Sequence, residues 1–410
     1  MGDCGAAVVA LTQASRSLHG PAVAGFEAAF AERIGVPYAY SFSSGRVGLY
    51  GILRALGIGE GDEVLLQAPT HIVVANAIRY VGARPVYVDC TLDTFEMQLD
   101  DAEAKIGPRT RALLLQHTFG IPGDLGRALE ICRRRGLALI EDCVHALGAR
   151  YAGRPVGSFG SAAFFSTEET KTISTTMGGV AVTGDPEIAT KLQSFQLACS
   201  WPPRGLVARY ITKLVVYHAL TEPHLHYYVR RAYEAAGGPQ PLPEPTSPEE
   251  QRGGRPPGYE RRLDPAQAVV GLRQLHRLDR NLEHRRAVAA VCAERLSLHG
   301  FTTPKLPPER EPAYLRFPVL VADRTAALRR AAPHGVLGTW FTSVLEEAAS
   351  PQDGDYRAGS CPAAEAAAGH LVNLPTHCRT RIADIEAIIA AIASVGPWTG
   401  AAESEAAAGV

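Results

Sequence analysis

Short, uniformly apolar segments alternate with longer segments of helical period through the first half of the chain. The short segments consist mainly of Val, Ile, Leu, Ala and Phe, which indicates strands that are buried on both faces. Such strands form a largely parallel sheet covered by helices. The predicted strands are Glu63–Gln67, Pro85–Asp89, Ala112–Gln116, Leu137–Glu141, Ala162–Ser166 and Val180–Thr183, and the helices between them include Val47–Leu56, Ile72–Val81 and Leu125–Arg135.

The composition excludes several classes of protein. The 410 residues are 46% hydrophobic and 20% charged, which is typical of a soluble globular protein. The 41 Lys and Arg residues balance 42 Asp and Glu, so the net charge of −1 disfavours a nucleic-acid partner. We find no apolar run long enough for a membrane span and no positive segment typical of a signal peptide. Eight scattered cysteines without a CxxC pair disfavour a zinc ribbon. We therefore expect a cytoplasmic protein.

The second half of the chain differs from this pattern. From about Trp201 the sequence is aromatic, apolar and basic, which is typical of a helical excursion packed on its domain, or of a substrate cap or membrane-surface contact. A stretch rich in Pro, Gly and Glu follows and predicts an exposed, mobile linker. The predicted divisions are a large domain over 1–257 that contains this insertion at 201–257, a smaller C-terminal α/β domain over 258–398 and a disordered tail over 399–410.

Two residues that follow buried strands carry the strongest chemical signals, because ligands of such sheets bind beyond the carboxyl ends of the strands. Asp142 closes a buried strand, where an unpaired carboxylate is costly. The protonated ring nitrogen of a cofactor would satisfy it, although Asp142 could instead cap the next turn. Lys171 follows the strand AAFFS among hydroxyl residues. Burial would supply the neutral amine that forms a Schiff base, and the alternative is an ordinary surface lysine.

A small-residue segment precedes the predicted helix Val47–Leu56 and predicts an anion site. Ser44 and Gly45 let backbone N–H groups approach an anion, which the helix N-terminus also favours. Arg46 adds a charge-assisted contact. The same pattern also fits a plain N-cap serine.

Two further motifs are weaker. Gly178 and Gly179 stand before the last predicted strand, where they permit close approach of the backbone to a ligand or form a plain turn. His224 and His226 lie two residues apart, but no third ligand at suitable spacing accompanies them. We therefore predict no metal site.

These segments together resemble the DegT/StrS family of fold-type I, pyridoxal-phosphate-dependent sugar aminotransferases. The resemblance covers about residues 25–395 and rests on SSGRVGL, EDCVHALGA, FFSTEETK followed by a glycine pair, RRLDPAQAVVGLRQLHRLD and CPAAEAAAGHLVNLPTH in that order. It implies the fold-type I PLP-transferase fold and a homodimer with shared active sites. The implied cofactor is pyridoxal 5′-phosphate, present as pyridoxamine phosphate in the second half-reaction.

The resemblance also assigns roles to individual residues. Lys171 would be the Schiff-base lysine and the proton carrier, Asp142 would pair with the ring nitrogen, and His145 would hydrogen-bond the ring oxygen. The other cofactor-binding residues that it implies are Ser44, Gly45, Arg46 and Ser166 at the phosphate and His71 stacked on the ring.

Three positions depart from the family pattern. Arg46 replaces a phosphate-binding Thr, and Met177 replaces a Glu. Glu260 takes the place of an Asn that reaches the neighbouring subunit's phosphate. Because a carboxylate would repel a phosphate, we expect either that Arg46 or Arg261 offsets its charge or that the segment shifts. Lys171 is retained, whereas relatives that catalyse deoxygenation have His there, and this favours transamination.

The resemblance implies transfer of an amino group from glutamate or glutamine to a nucleotide-linked keto sugar. This reaction would belong to amino-sugar or antibiotic biosynthesis. The insertion at 201–257 would set acceptor specificity. The pattern of Ser166, Thr167 and Lys171 equally resembles the aminocyclitol branch of the family, so a keto-cyclitol acceptor is the nearest alternative. Another PLP-dependent reaction and a PLP-binding, non-catalytic regulator are further alternatives.

Overall fold

A central sheet with helices on both faces forms most of the computed structural model, which describes residues 21–220 and 246–400. The elements of the first range are α1 (Pro21–Ile34), β1 (Tyr38–Phe42), α2 (Gly45–Ala55), β2 (Glu63–Gln67), β3 (Thr70–His71), α3 (Ile72–Tyr80), β4 (Arg84–Val88), α4 (Leu99–Ala104), β5 (Thr110–Gln116), a 3-10 turn (Thr118–Gly120), α5 (Leu125–Arg135), β6 (Ala138–Asp142), β7 (Arg150–Tyr151), β8 (Arg154–Pro155), β9 (Ala162–Ser166), β10 (Gly179–Thr183), α6 (Pro186–Ala198) and α7 (Arg204–Leu220).

The second range contains the remaining elements. They are α8 (Pro248–Gln251), α9 (Pro265–Leu275), α10 (Leu278–Leu298), β11 (Arg310–Glu311), β12 (Arg316–Leu320), α11 (Arg324–Ala331), β13 (Leu345–Glu346), a 3-10 turn (Pro351–Gly354), α12 (Pro362–Ala368), β14 (Leu371–Pro375) and α13 (Ile382–Ala393).

The central sheet has seven strands in the order β1-β10-β9-β6-β5-β2-β4. The five strands from β9 to β4 are parallel to one another, whereas β10 pairs antiparallel with both β9 and β1. Strand β1, at the edge, therefore runs in the same direction as those five strands. This confirms the predicted largely parallel sheet. All six predicted strands are present, two of them with the predicted bounds, and the sequence analysis missed β1.

Alternate residues of each strand contribute to two apolar cores, one on each face of the sheet. In β9, Phe164 belongs to the core formed with α2, α3 and α6, whereas Phe165 belongs to the core formed with α1, α5 and α9. Each buried aromatic side chain of this kind stabilises the fold by roughly 2 kcal/mol through the apolar area it removes from water. Burial on both faces explains why these strands lack polar alternation.

The C-terminal residues have a third core around the antiparallel pair β12 and β14. Helices α10, α11 and α13 cover this pair, and the apolar contacts change from the second core to the third within α10, between Leu282 and Val288. The predicted division at residue 258 remains a prediction. In the described ranges, no helix combines the length and the apolar character that crossing a membrane requires.

The predicted linker is wrong for residues 246–254. Thr246 is 1% exposed and Glu250 is 4% exposed, and a capping box of Ser247 and Glu250 starts α8. The side-chain amide of Asn76 donates to the backbone oxygen of Glu250 over 2.8 Å. Buried partners for its polar groups therefore order this segment despite its composition. Residues 221–245, which include His224 and His226, and most of the predicted tail lie outside the described residues.

Gly179 allows β10 to approach the start of α2. A Cβ atom added at Gly179 would lie 2.3 Å from the backbone nitrogen of Gly45, a distance that requires the backbone to shift. We therefore expect Gly179→Ala to lower the free energy of unfolding by about 2–3 kcal/mol, measured by urea denaturation. Gly184→Ala is the matched control, because nothing lies within 4 Å of the added atom. Equal stability of the two variants would contradict the close-approach role.

Candidate active site

One pocket lies beyond the carboxyl ends of β6 and β9 and against the first turns of α2 and α3. Parallel strands end at the same edge of a sheet, so residues far apart in sequence converge there. The loop at residues 340–347 forms the opposite wall. Eight of the predicted site residues line the pocket: Ser44, Gly45, Arg46, His71, Asp142, His145, Ser166 and Lys171.

Asp142 is 1% exposed at the end of β6 and is incompletely hydrogen-bonded. Its Oδ1 accepts from the backbone N–H of Val144 over 3.1 Å, whereas its Oδ2 has no hydrogen-bond partner among the described residues. Burial raises the pKa of Asp142 to about 7, although the Val144 N–H and the charge of Lys171 oppose this. A cationic N–H donor in the pocket would satisfy Oδ2 and restore the ionised carboxylate.

Lys171 lies in a loop that two C-terminal helices hold in place. The side-chain amide of Gln274 in α9 bonds both backbone groups of Ser174, at 2.8 and 2.6 Å. The amide of Asn281 in α10 donates to the backbone oxygen of Thr172 over 2.9 Å. Burial lowers the pKa of Lys171 to about 8, so the neutral amine is populated near neutral pH far more than in an ordinary lysine, although the ammonium form still predominates at pH 7. The site thus offers a nucleophilic amine.

His145 is a neutral imidazole in this arrangement. It is 4% exposed, and burial holds its pKa well below the usual range, with the charges of Lys171 and Arg316 acting in the same direction. Its Nδ1 accepts from the backbone N–H of Phe119 over 3.3 Å. The ring proton therefore resides on Nε2, which is available as a hydrogen-bond donor.

The start of α2 provides an anion site. Ser44 is the N-cap residue, and within the described ranges its side chain makes no capping hydrogen bond. The first backbone N–H groups of an α-helix have no partners within the helix, so a helix N-terminus of this kind favours a bound anion. A Cβ atom at Gly45 would lie 3.3 Å from that of Ser166, so the absence of a side chain opens the space between the helix and β9.

Arg46 forms an ion pair with Glu250 of α8, in the segment that the sequence analysis predicted as a linker. The side chains are 10% and 5% exposed, so each charge depends on the other for compensation. The backbone oxygen of Arg46 also accepts from the hydroxyl of Tyr259 over 3.1 Å. Arg46 thus lines the predicted phosphate site with its charge already balanced within the chain.

Glu260 and Arg261 lie apart from this pocket, whose described lining includes neither residue. Glu260 forms an ion pair with Arg255, so Arg255 offsets the carboxylate charge that we expected Arg46 or Arg261 to offset. The backbone oxygen of Arg261 accepts from Ser43 over 2.9 Å. Their contact with a partner subunit remains a prediction.

The sequence analysis missed the wall formed by Trp340, Phe341 and Glu347. The Trp340 ring stacks on His145 with centroids 5.2 Å apart, and Lys171 Nζ lies 4.1 Å from the Trp340 centroid. On β12, the Arg316 guanidinium carbon lies 4.7 Å from that centroid. In the sequence, the signal for this wall is the pair of adjacent aromatic residues in the segment TWF.

His71 is the N-cap of α3 and faces Glu347 from the other wall. Its Nδ1 accepts from the backbone N–H of Val73 over 3.3 Å, and its Nε2 lies 3.3 Å from Glu347 Oε2. Burial acts to raise the pKa of Glu347, but the neighbouring His71 and Thr246 side chains and the charge of Arg46 lower it to about 2. Glu347 is therefore a carboxylate throughout the physiological range.

Helix α7 of the insertion packs against the loop that carries Lys171. Lys213 Nζ lies 2.5 Å from Glu169 Oε2, and the hydroxyl of Thr176 donates to the backbone oxygen of Tyr210 over 3.0 Å. This part of the insertion therefore contacts the site's supporting loop.

The fold and the site together define an aminotransferase of fold type I. The sequence model of the DegT/DnrJ/EryC1/StrS aminotransferase family matches residues 3–393, and the chain belongs to this family. Aminotransferases of the family are PLP-dependent. This result confirms the predicted family, fold class and enzyme class.

Individual relatives agree with this assignment. The chain is 30% identical to GDP-perosamine synthase of Caulobacter vibrioides over 375 residues, which are 90% of this chain and 89% of that protein. It is 42% identical to GDP-perosamine synthase of Escherichia coli O157:H7 over 171 residues, 42% of this chain and about half (47%) of that protein. The structure of DesV from S. venezuelae in complex with a ketimine intermediate is 30% identical, with a TM-score of 0.75 over 96% of this chain and 94% of that chain.

We expect His145 to stay neutral, with its proton on Nε2, at pH 6. Burial disfavours the charged form, and the Phe119 N–H occupies Nδ1. Nitrogen-15 NMR of histidine-labelled protein tests this, and the His145→Gln variant identifies the signal. An imidazolium signal from His145 at pH 6 would contradict the assignment.

Proposed function

We propose that this chain binds pyridoxal 5′-phosphate and transfers an amino group from glutamate or glutamine to a nucleotide-linked keto sugar in the cytoplasm. The observation that carries the proposal is that the buried carboxylate of Asp142, with Oδ2 unsatisfied, lines the same pocket as the amine of Lys171. A buried carboxylate of this kind requires a cationic partner. The family assignment supports the reaction class.

The residues of the pocket fit the cofactor. Asp142 Oδ2 would accept from the protonated ring nitrogen, and the backbone N–H groups at the start of α2, with Ser166, would hold the phosphate. His145 Nε2 would donate to the ring oxygen. When bound, the cofactor supplies an electron sink that makes the Cα–H bond of an amino acid acidic.

Lys171 has two tasks in this proposal. Its neutral amine would attach the cofactor covalently. After release, Nζ would accept the proton from the donor Cα and hold it for delivery to the cofactor. A pKa of about 8 suits both tasks, because protonated and neutral forms are both populated near the working pH. The Trp340 ring beside Nζ would exclude water from this proton.

The acceptor is proposed from the relatives' names. Two GDP-perosamine synthases match, and these names point to a nucleotide-linked sugar. A keto-cyclitol remains the second candidate on the pattern of Ser166, Thr167 and Lys171. We further propose a homodimer with shared active sites, in which Glu260 and Arg261 approach the partner subunit, and sedimentation analysis tests that assembly.

We expect Lys171→Ala to abolish turnover and the yellow absorption band of the cofactor-loaded protein, because attachment and proton transfer both require Nζ. The visible spectrum, recorded before and after glutamate and then glutamine are added, measures this. In the wild type we expect the band to bleach with a donor. Lys213→Ala is the control, because it removes a lysine that pairs with Glu169 outside the pocket.

Two results would contradict the proposal. Retained turnover in Lys171→Ala would exclude the assigned role of this lysine. A wild-type band that no amino acid bleaches would favour the non-catalytic regulator.

We expect a nucleoside diphosphate to compete with the acceptor, since a nucleotide-linked sugar is bound through its diphosphate as well as its sugar. The assay follows return of the yellow band when keto-sugar nucleotides or keto-cyclitols are added to the amine-loaded protein. Return of the band with a keto-cyclitol, unaffected by GDP, would favour the cyclitol alternative.

A further inference from the structure

Glu168 is a carboxylate in the active-site pocket to which neither the resemblance nor the proposed function gives a role. It lines the same pocket as Lys171 and lies three residues before it. The backbone N–H of Lys171 donates to the backbone oxygen of Glu168 over 3.0 Å, which closes a tight turn. This turn brings the two residues together at one wall of the pocket.

The carboxylate of Glu168 is fixed within its own loop. Its Oε2 accepts from the backbone N–H of Thr170 over 3.0 Å and from the Thr170 hydroxyl over 2.6 Å. Two hydrogen bonds from one residue restrict the carboxylate to a small region. The carboxylate of Glu168 is thus held in one position within the pocket that Lys171 also lines.

Lys171 faces a mixture of charges from several elements. Its Nζ and the Arg316 guanidinium lie 4.1 and 4.7 Å from the same Trp340 centroid, so two cations share one aromatic ring. Burial and Arg316 both favour the neutral amine, whereas the carboxylates favour the ammonium form. The charged or titratable groups that face Lys171 are Glu168, Arg316, Asp142, Glu347 and His145.

Asp142 and Glu347 each have a different proposed or observed partner for their carboxylate. Asp142 would be satisfied by the ring nitrogen of the cofactor, and Glu347 lies against His71. Glu168 is therefore the carboxylate of the pocket that lies on the same loop as the amine and has no other assigned role.

We propose that Glu168 is a positioning residue that acts through Lys171, as the fixed counter-charge that keeps the amine basic enough to accept the substrate proton. The inference rests on the proposed role of Lys171 as the amine that carries this proton. Removing a neighbouring negative charge disfavours an ammonium ion, so the pKa of Lys171 falls when Glu168 is neutralised. A fall of about one pH unit is the expected size for a partly buried pair.

The test is a titration of cofactor-free protein whose lysines carry carbon-13 methyl groups, followed by NMR. The chain has five lysines, so few signals need assignment, and Lys171→Arg identifies the relevant one. We expect Lys171 to titrate near pH 8 in the wild type and about one unit lower in Glu168→Gln. Glu168→Asp keeps the charge and should restore most of the difference.

Glu169→Gln is the matched control, because Glu169 is adjacent but pairs with Lys213 of α7. We expect it to alter the Lys213 signal and to leave that of Lys171 unchanged. An unchanged Lys171 titration in Glu168→Gln, or equal shifts in the two glutamine variants, would overturn the proposal. Equal thermal unfolding midpoints verify that the variants fold.

A second readout is the pH profile of the loaded enzyme. The acidic limb of kcat should move down by the same amount in Glu168→Gln, because the amine loses its proton at lower pH. An unmoved limb would overturn the proposal. If the proposed amine transfer itself fails, the NMR titration still measures the effect of Glu168 on the pKa of Lys171. Failure of the proposed function and failure of this inference are therefore distinguishable.

Discussion

The buried carboxylate of Glu141 holds together the segments on which the pocket depends. It is fully buried, and its two oxygens accept backbone N–H bonds from Gly157, Phe159 and Gly160 at 2.6 to 2.8 Å. His117 Nε2 lies 3.2 Å away, and its Nδ1 accepts from a backbone N–H, so Nε2 donates to the same carboxylate. A buried charge with four donors is stable, whereas loss of these donors would leave it uncompensated. This network fixes the end of β6, and with it the position of Asp142.

Charge is distributed unevenly around the pocket, and this distribution gives each end a different chemistry. At the deep end, Asp142 retains an unsatisfied oxygen. At the α2 end, the helix N-terminus adjoins the neutral pair of Arg46 and Glu250, so an anion meets the helix dipole rather than a net cation. Lys171 lies between the two ends with aromatic cover from Trp340. The amine is thus the reactive centre of a pocket in which most other charges are already paired.

The predictable parts of the fold are those whose residue pattern lies within one short segment of the sequence. Strand Ala162–Ser166 was predicted with its observed bounds, since burial on both faces removes polar alternation from it. Asp142 and Lys171 were found for a related reason, because each follows a predicted buried strand: Asp142 directly, and Lys171 in the loop that follows Ser166. Trp340 and Glu347 were missed because a loop without periodicity brings them to the site. Glu250 was missed because its burial depends on Arg46, about two hundred residues earlier, and composition alone favoured a mobile linker.

The anchoring of the Lys171 loop has a consequence for the order in which the site forms during synthesis. A ribosome releases the chain from its N-terminus, and early segments fold first. Asp142 and Lys171 emerge well before Gln274 and Asn281, whose side chains hold the loop. Strand β3, which ends at His71, pairs with β13 from residues 345–346. A nascent chain therefore contains the amine long before it contains the groups that shape its surroundings, and the pocket is completed only late in the synthesis of this polypeptide.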